Sequence, residues 1–183
     1  KLCAGLKLER LPQMLKGLRR AKGDAPRAVR RGISPQKLRV AMEVLTDPND
    51  KVHANVRAAV TTALQGLLRS QEFAVSSGSH RGASLVPSRA DLVELNELRM
   101  VLMMAPCKNM HHLGGKTCPL VIGGGGEHVD AVREVINLLR VDPVAPGQAA
   151  VTPLFRDPFT GKALTVEAIM AWTRRFMAAV GED

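Results

Sequence analysis

Apolar residues recur at helical spacing along most of this chain. Leu8, Leu11, Leu15 and Leu18 mark an amphipathic segment within Lys7 to Arg20, which dissolves into AKGDAPRAVRRG, a basic linker. A second helix is predicted from Ser34 as N-cap and Pro35 at the first helical position. Ile33 staples onto Leu38 across the cap, and the helix runs to about Leu45. TDPND breaks the chain, after which Val56, Val60, Leu64 and Leu67 form one face of a third helix ending near Leu68, with Arg69 at its C-terminal edge. Beyond the Ser/Gly-rich SSGSHRG, two short apolar runs, Leu98 to Met104 and Pro119 to Ile122, flank a polar stretch and predict a β-hairpin with a long loop. Val129, Val132, Ile136 and Leu139 make the buried stripe of a further helix. The Pro-rich stretch from Val141 to Pro158 reads as a surface loop, and Thr165 caps a last helix that stops at Gly181. No internal repeat is present. The order predicts an α+β fold, mainly α, in which a helical body carries a small antiparallel hairpin or sheet on one side.

Composition narrows the classes. The 183 residues suit one ordinary domain with a fragment of a neighbour, and 45% apolar with 23% charged is the balance of a globular protein. No apolar run approaches the roughly 18 residues of a membrane span, so no membrane partner is expected. Aromatics at 3% make stacking platforms a poor route to nucleic acid. Three Cys, an odd number without framework spacing, fit a reducing compartment. The net charge of +9 is concentrated, because residues 1 to 40 hold twelve Lys or Arg against Glu9 and Asp24. A basic arm on a near-neutral body is the electrostatic footprint of phosphate-backbone binding. Lys16, Arg19, Arg20, Lys22, Arg27, Arg30 and Arg31 are its candidate DNA contacts, with a solvated basic helix as the bland alternative.

TTALQGLLRSQEFAV resembles the segment of tyrosine recombinases and integrases in which a buried helix delivers a catalytic Arg followed three residues later by an acidic residue, here Arg69 and Glu72. LPQMLKGLRRAKGDAPRAVRRGISPQKLRVAMEVL is similar to the end of that family's core-binding domain, its basic linker and the first catalytic-domain helix. RADLVELNELRMVLMMAPCKNMHHLGGKTCPLVIG resembles the β2–β3 hairpin whose turn carries a catalytic Lys. TPLFRDPFTGKALTVEAIMAWTRRFMAAVGED looks like the helix before the His-x-x-Arg box. The resemblance covers nearly the whole chain and is closest to recombinases of eukaryotic mobile elements. It implies three parts: residues 1–22 as the end of a core-binding domain, 23–33 as the linker, and 34–183 as the N-terminal part of a catalytic domain.

What the resemblance implies chemically is DNA recombination or integration by phosphodiester strand transfer through a phosphotyrosyl intermediate, without metal or other cofactor. A guanidinium, Arg69, would bind the non-bridging oxygens of the phosphorane bidentately. A hairpin lysine would protonate the departing 5′-oxygen. Lys108 directly follows the first strand, as the family's Lys does, and Lys116 at the other end of the loop is its rival. Glu72 would hold the helix end or the Arg by charge-assisted hydrogen bonding. The partner implied is double-stranded DNA, with a tetramer in the complete protein. The location implied is the nucleus if the source is eukaryotic, otherwise the cytoplasm.

Three other patterns are weaker. GGKT at Gly114 to Thr117 fails the Walker spacing at Met110. Gly123 to Gly126 lack the dinucleotide-binding spacing at His128 and read as a flexible connection. Cys107, His111, His112 and Cys118 offer soft ligands without paired Cys-x-x-Cys spacing, so no metal site is assigned. The chain departs from the family pattern at VGED, where the His-x-x-Arg box and the nucleophile should follow, and it has no Tyr. The expectation is a C-terminally incomplete, inactive catalytic domain. A non-catalytic DNA-binding remnant and an unrelated helical interaction domain stay open beside the recombinase.

Overall fold

The computed structural model describes residues 32–76, 86–105 and 117–181. The chain divides at Gly32/Ile33, and the second unit is described here by itself. It is α+β: helices α1 (Pro35–Leu45), α2 (Lys51–Gln65) and the single turn α3 (Ser70–Phe73), a 3-10 turn (Arg89–Asp91), strands β1 (Leu92–Leu95), β2 (Arg99–Met104) and β3 (Cys118–Gly123), then α4 (Ala131–Val141) and α5 (Val166–Ala179). No helix among the described residues is long and apolar enough to cross a membrane.

The caps follow from local chemistry. Ser34, Asp50, Asp130 and Thr165 each accept a backbone N–H of the first turn they precede, satisfying donors that have no intrahelical partner. Pro35 stands in the first turn of α1, and Ile33 joins Leu38 in one apolar cluster, as the staple requires.

Helix α2 is the partition of the core. Ala54, Ala58 and Ala59 present small side chains to a cluster built from Met100, Leu102 and Ile122 of the sheet, Val132, Val135 and Leu138 of α4, and Phe73 and Phe155. Val56 and Val60 face the other way, toward Leu38, Met42 and Phe176 of α1 and α5. A helix buried on both sides must use small residues wherever another element approaches closely.

The sheet has the order β1-β2-β3, antiparallel throughout. Arg99↔Gly123 through Met104↔Cys118 fix the register of the predicted hairpin. Met100, Leu102 and Met104 point into the core, and Val101 and Met103 alternate with them on the outer face. Strand β1 was not expected. It is only four residues long and is held to β2 by a tight turn in which Asn96 Oδ1 accepts from the N–H of both Leu98 and Arg99.

Three expectations are corrected. The third helix ends at Gln65, not near Leu68, and Leu67 is 88% exposed rather than part of the buried stripe. In α4 the buried positions are Ala131, Val132, Glu134, Val135 and Leu138, while Ile136 is exposed and Val129, though buried, precedes the helix. The helix is rotated because Glu134 goes inward: its carboxylate receives Nε and Nη2 of Arg57 at 2.8 and 2.6 Å. The Pro-rich segment is not simply a surface loop. Leu154 and Phe155 are fully buried, and Ser88 and Arg89 pair with the backbone of residues 152 to 153.

A second polar knot explains why that segment is pinned. Asp142, the C-cap of α4 and 2% exposed, receives Arg156 Nε and Nη2 at 2.8 and 2.7 Å, Arg89 Nη2 at 3.3 Å and Asn55 Nδ2 at 3.2 Å. Burial pushes the Asp142 carboxyl up. The hydrogen bonds from Arg156 and Asn55 and the two cationic charges outweigh it and hold the group below the usual carboxylate range. Burial lowers the Arg89 guanidinium to about 10 against the opposing charge of Asp142, so it stays charged at neutral pH.

Candidate functional site

Arg69 lies at the corner between α2 and α3. Helix α2 ends in a Schellman motif: the N–H of Leu68 donates to the Ala63 carbonyl at 2.9 Å and that of Leu67 to Leu64 at 3.4 Å, with Leu67 at φ +51°. Arg69 then takes an extended conformation as the N-cap of α3. It is therefore not at the C-terminal edge of the long helix.

Three contacts fix this corner. Glu72 Oε2 accepts the backbone N–H of Arg69 at 2.8 Å, and the N–H of Glu72 donates to the Arg69 carbonyl at 2.8 Å. Glu72 thus bonds to the Arg69 backbone, and no bond from it to the guanidinium is present among the described residues. Gln65 donates Nε2 to the Val129 carbonyl at 3.2 Å and accepts the Ala131 N–H at 2.7 Å, clamping the last residue of α2 to the entry of α4. At Gly66 a Cβ would press on the Thr62 carbonyl and on Leu120 of β3, so the corner sits directly against the sheet. The Arg69 side chain itself is exposed and makes no hydrogen bond or ion pair among the described residues.

Leu67 is a non-glycine residue in the left-handed region, a conformation that costs roughly 1–2 kcal/mol. Its side chain is exposed, so little packing opposes replacement. Leu67→Gly is expected to raise the free energy of unfolding by about 0.5–1 kcal/mol, because the relieved strain exceeds part of glycine's entropic cost. Urea unfolding checks this, and a destabilised variant would show that the leucine side chain anchors the corner.

The glycine run is not open space throughout: a Cβ at Gly124 would strike the Glu97 carbonyl and one at Gly126 the Val129 carbonyl. Nor is a seat for an external anion open there. The Gly125 N–H donates to Asp130 Oδ2 at 2.8 Å, and Asp130 Oδ1 accepts from Arg133 N at 3.0 Å, so the protein's own carboxylate fills the position.

Lys108 and Lys116, with Cys107, His111 and His112, lie outside the described residues, as do the seven basic residues of the arm from Lys16 to Arg31. The loop that carries both lysines leaves β2 at Met104 and enters β3 at Cys118, positions paired across the hairpin. Among the described residues no group of His, Cys, Asp and Glu could hold a metal ion. Gln65 was missed from the sequence, since a single polar residue in an apolar stripe carries no sign of its distant partners. No family model matches this sequence, and no curated protein or solved structure is significantly similar to it.

Proposed function

We propose that residues 34–183 form the N-terminal part of a tyrosine-recombinase-type catalytic domain and that Arg69 contacts a phosphate of duplex DNA. The observation that supports this most is the Arg69 corner: a guanidinium with no partner among the described residues, on a backbone held by Glu72, Gln65 and the Gly66–Leu120 contact. An exposed guanidinium with no partner among the described residues is available for a bidentate phosphate contact, and the fixed backbone beneath it means that only side-chain freedom is lost on binding. The order around it, helices, Arg corner, antiparallel hairpin, then two helices, agrees with the resemblance.

In this reading the basic arm supplies sequence-independent phosphate contacts, and Arg69 neutralises charge on the non-bridging oxygens. Lys108, or Lys116, delivers a proton to the leaving 5′-oxygen. These 183 residues include no tyrosine to act as nucleophile, so the activity proposed for them is DNA binding. Strand transfer, tetramer assembly and a nuclear site of action belong to a complete recombinase.

Fluorescence anisotropy of a labelled duplex between about 50 and 200 mM salt tests the reading. Affinity is expected to fall steeply, with log K linear in log salt. Arg69→Ala is expected to weaken binding about tenfold and reduce the salt slope by about one. Absent or salt-independent binding by the parent chain removes the DNA reading, and an unchanged slope in Arg69→Ala removes the role of that residue.

A further inference from the structure

The chain has four phenylalanines, and three of them, Phe73, Phe155 and Phe176, are at most 4% exposed. The fourth, Phe159, is 87% exposed. It stands on a built turn. The N–H of Asp157 donates to the Lys162 carbonyl at 2.8 Å, that of Gly161 to the Asp157 carbonyl at 2.8 Å, and Arg156 bridges Ala163 at the base. Gly161 supplies the positive φ of 69° that the return requires. The Asp157 carboxylate accepts the N–H of Phe159 at 2.9 Å and the hydroxyl of Thr160 at 3.0 Å. Its charge is thereby engaged inside the turn, and those bonds with the backbone hold its carboxyl below the usual range. What the tip offers is an aromatic ring, Thr160, Gly161 and Lys162, all exposed.

This turn is tied to the Arg69 corner. Val75, two residues beyond α3, receives the N–H of Val166 and donates its own to the Leu164 carbonyl, both at 2.9 Å. Phe73 of α3 meets Phe155, at the foot of the turn, edge to face at 6.4 Å. The backbone that leaves the Arg69 corner and the backbone that leaves the Phe159 turn are thus hydrogen-bonded to each other.

We infer that Phe159 is a wedge that enters duplex DNA between neighbouring base pairs, with Lys162 on an adjacent phosphate. The inference rests on the DNA-binding reading above and deepens it. A protein-binding anchor is normally ringed by further apolar residues that complete a dry patch. Here the ring's exposed companions in the turn are a hydroxyl, a glycine and an ammonium. An exposed apolar side chain beside a cation and a hydroxyl matches the inserted side chains of proteins that kink DNA, and those need no extended aromatic platform.

The test uses the full chain and a duplex carrying 2-aminopurine, whose fluorescence rises when a step unstacks. The parent is expected to raise that signal on binding, more at a flexible pyrimidine–purine step than in a stiff A-tract. Phe159→Ala is expected to bind about tenfold more weakly with its salt slope unchanged, since no charge is removed. Phe159→Leu retains most of the signal, and Lys162→Ala lowers the slope by about one. Circular dichroism should be the same for all variants, because none loses a buried contact. Phe159→Ala that binds and unstacks like the parent overturns the wedge and leaves DNA binding standing. So does a variant that alters only the sedimentation of the protein, which would assign Phe159 to contact between copies. A parent that binds no duplex in a salt-dependent way removes the DNA reading first and the wedge with it.

Discussion

Asp142→Ala is expected to cost about 3–5 kcal/mol of folding free energy, the range for removing one partner from a buried charge cluster. The carboxylate is the single anion on which Arg89, Arg156 and Asn55 converge. Without it two guanidiniums face each other, and Arg89, whose side chain is 3% exposed, has no route to water. Four chain segments lose their common tie: α2, the 3-10 turn, the end of α4 and the loop at Arg156. Urea unfolding followed by circular dichroism measures the loss.

Acid titration gives a second handle on the same group. The carboxyl is held below its ordinary value of 3.8, so the folded state binds its proton less readily than the unfolded chain. Its stabilising contribution is complete above that ordinary value and is lost as pH falls through the lower, folded one. The parent should therefore lose an increment of stability in the acid range that Asp142→Asn lacks. Equal acid slopes in the two proteins would mean that the carboxylate is solvated and the knot is not closed.

Breaking the other buried pair should be comparably severe. Glu134→Ala is expected to destabilise by about 3–5 kcal/mol, since the Arg57 guanidinium then keeps no anionic partner among the described residues, only the Thr46 hydroxyl at 3.1 Å and the Met42 carbonyl at 3.5 Å. The double replacement Arg57→Met with Glu134→Leu should recover most of that loss, because removing both charges also removes their desolvation cost. A double-mutant cycle separates the terms. A loss below about 1 kcal/mol for Glu134→Ala would place the pair in the class of surface ion pairs.

The same two knots account for what could not be read along the chain. Local chemistry was readable: the caps at Ser34 and Thr165, the proline opening α1, the apolar run of β2 and the spacing of Arg69 and Glu72 all act within a few residues. Glu134 misled the reading of α4 because hydropathy places a carboxylate outside, and only its distant partner Arg57 turns it inward. The segment from Val141 to Pro158 has the composition of a loop, yet Arg89 and Asp142 fasten it over a separation that periodicity does not sense. Gly66 was the local sign that α2 stops before Arg69, but Leu67 and Leu68 continued the apolar stripe and concealed it. The arm and the lysine loop, which carry most of the expected DNA chemistry, lie outside the described residues.

Gln65 gives the Arg69 corner a further property. Its side chain takes the first amide of α4 and holds the carbonyl just before that helix, so the corner cannot swing away without unravelling the entry to α4. The two therefore open together, as one cooperative unit whose free energy is set by the packing of α4 on α2 rather than by the corner's own few bonds. The backbone that carries the guanidinium inherits the rigidity of the core.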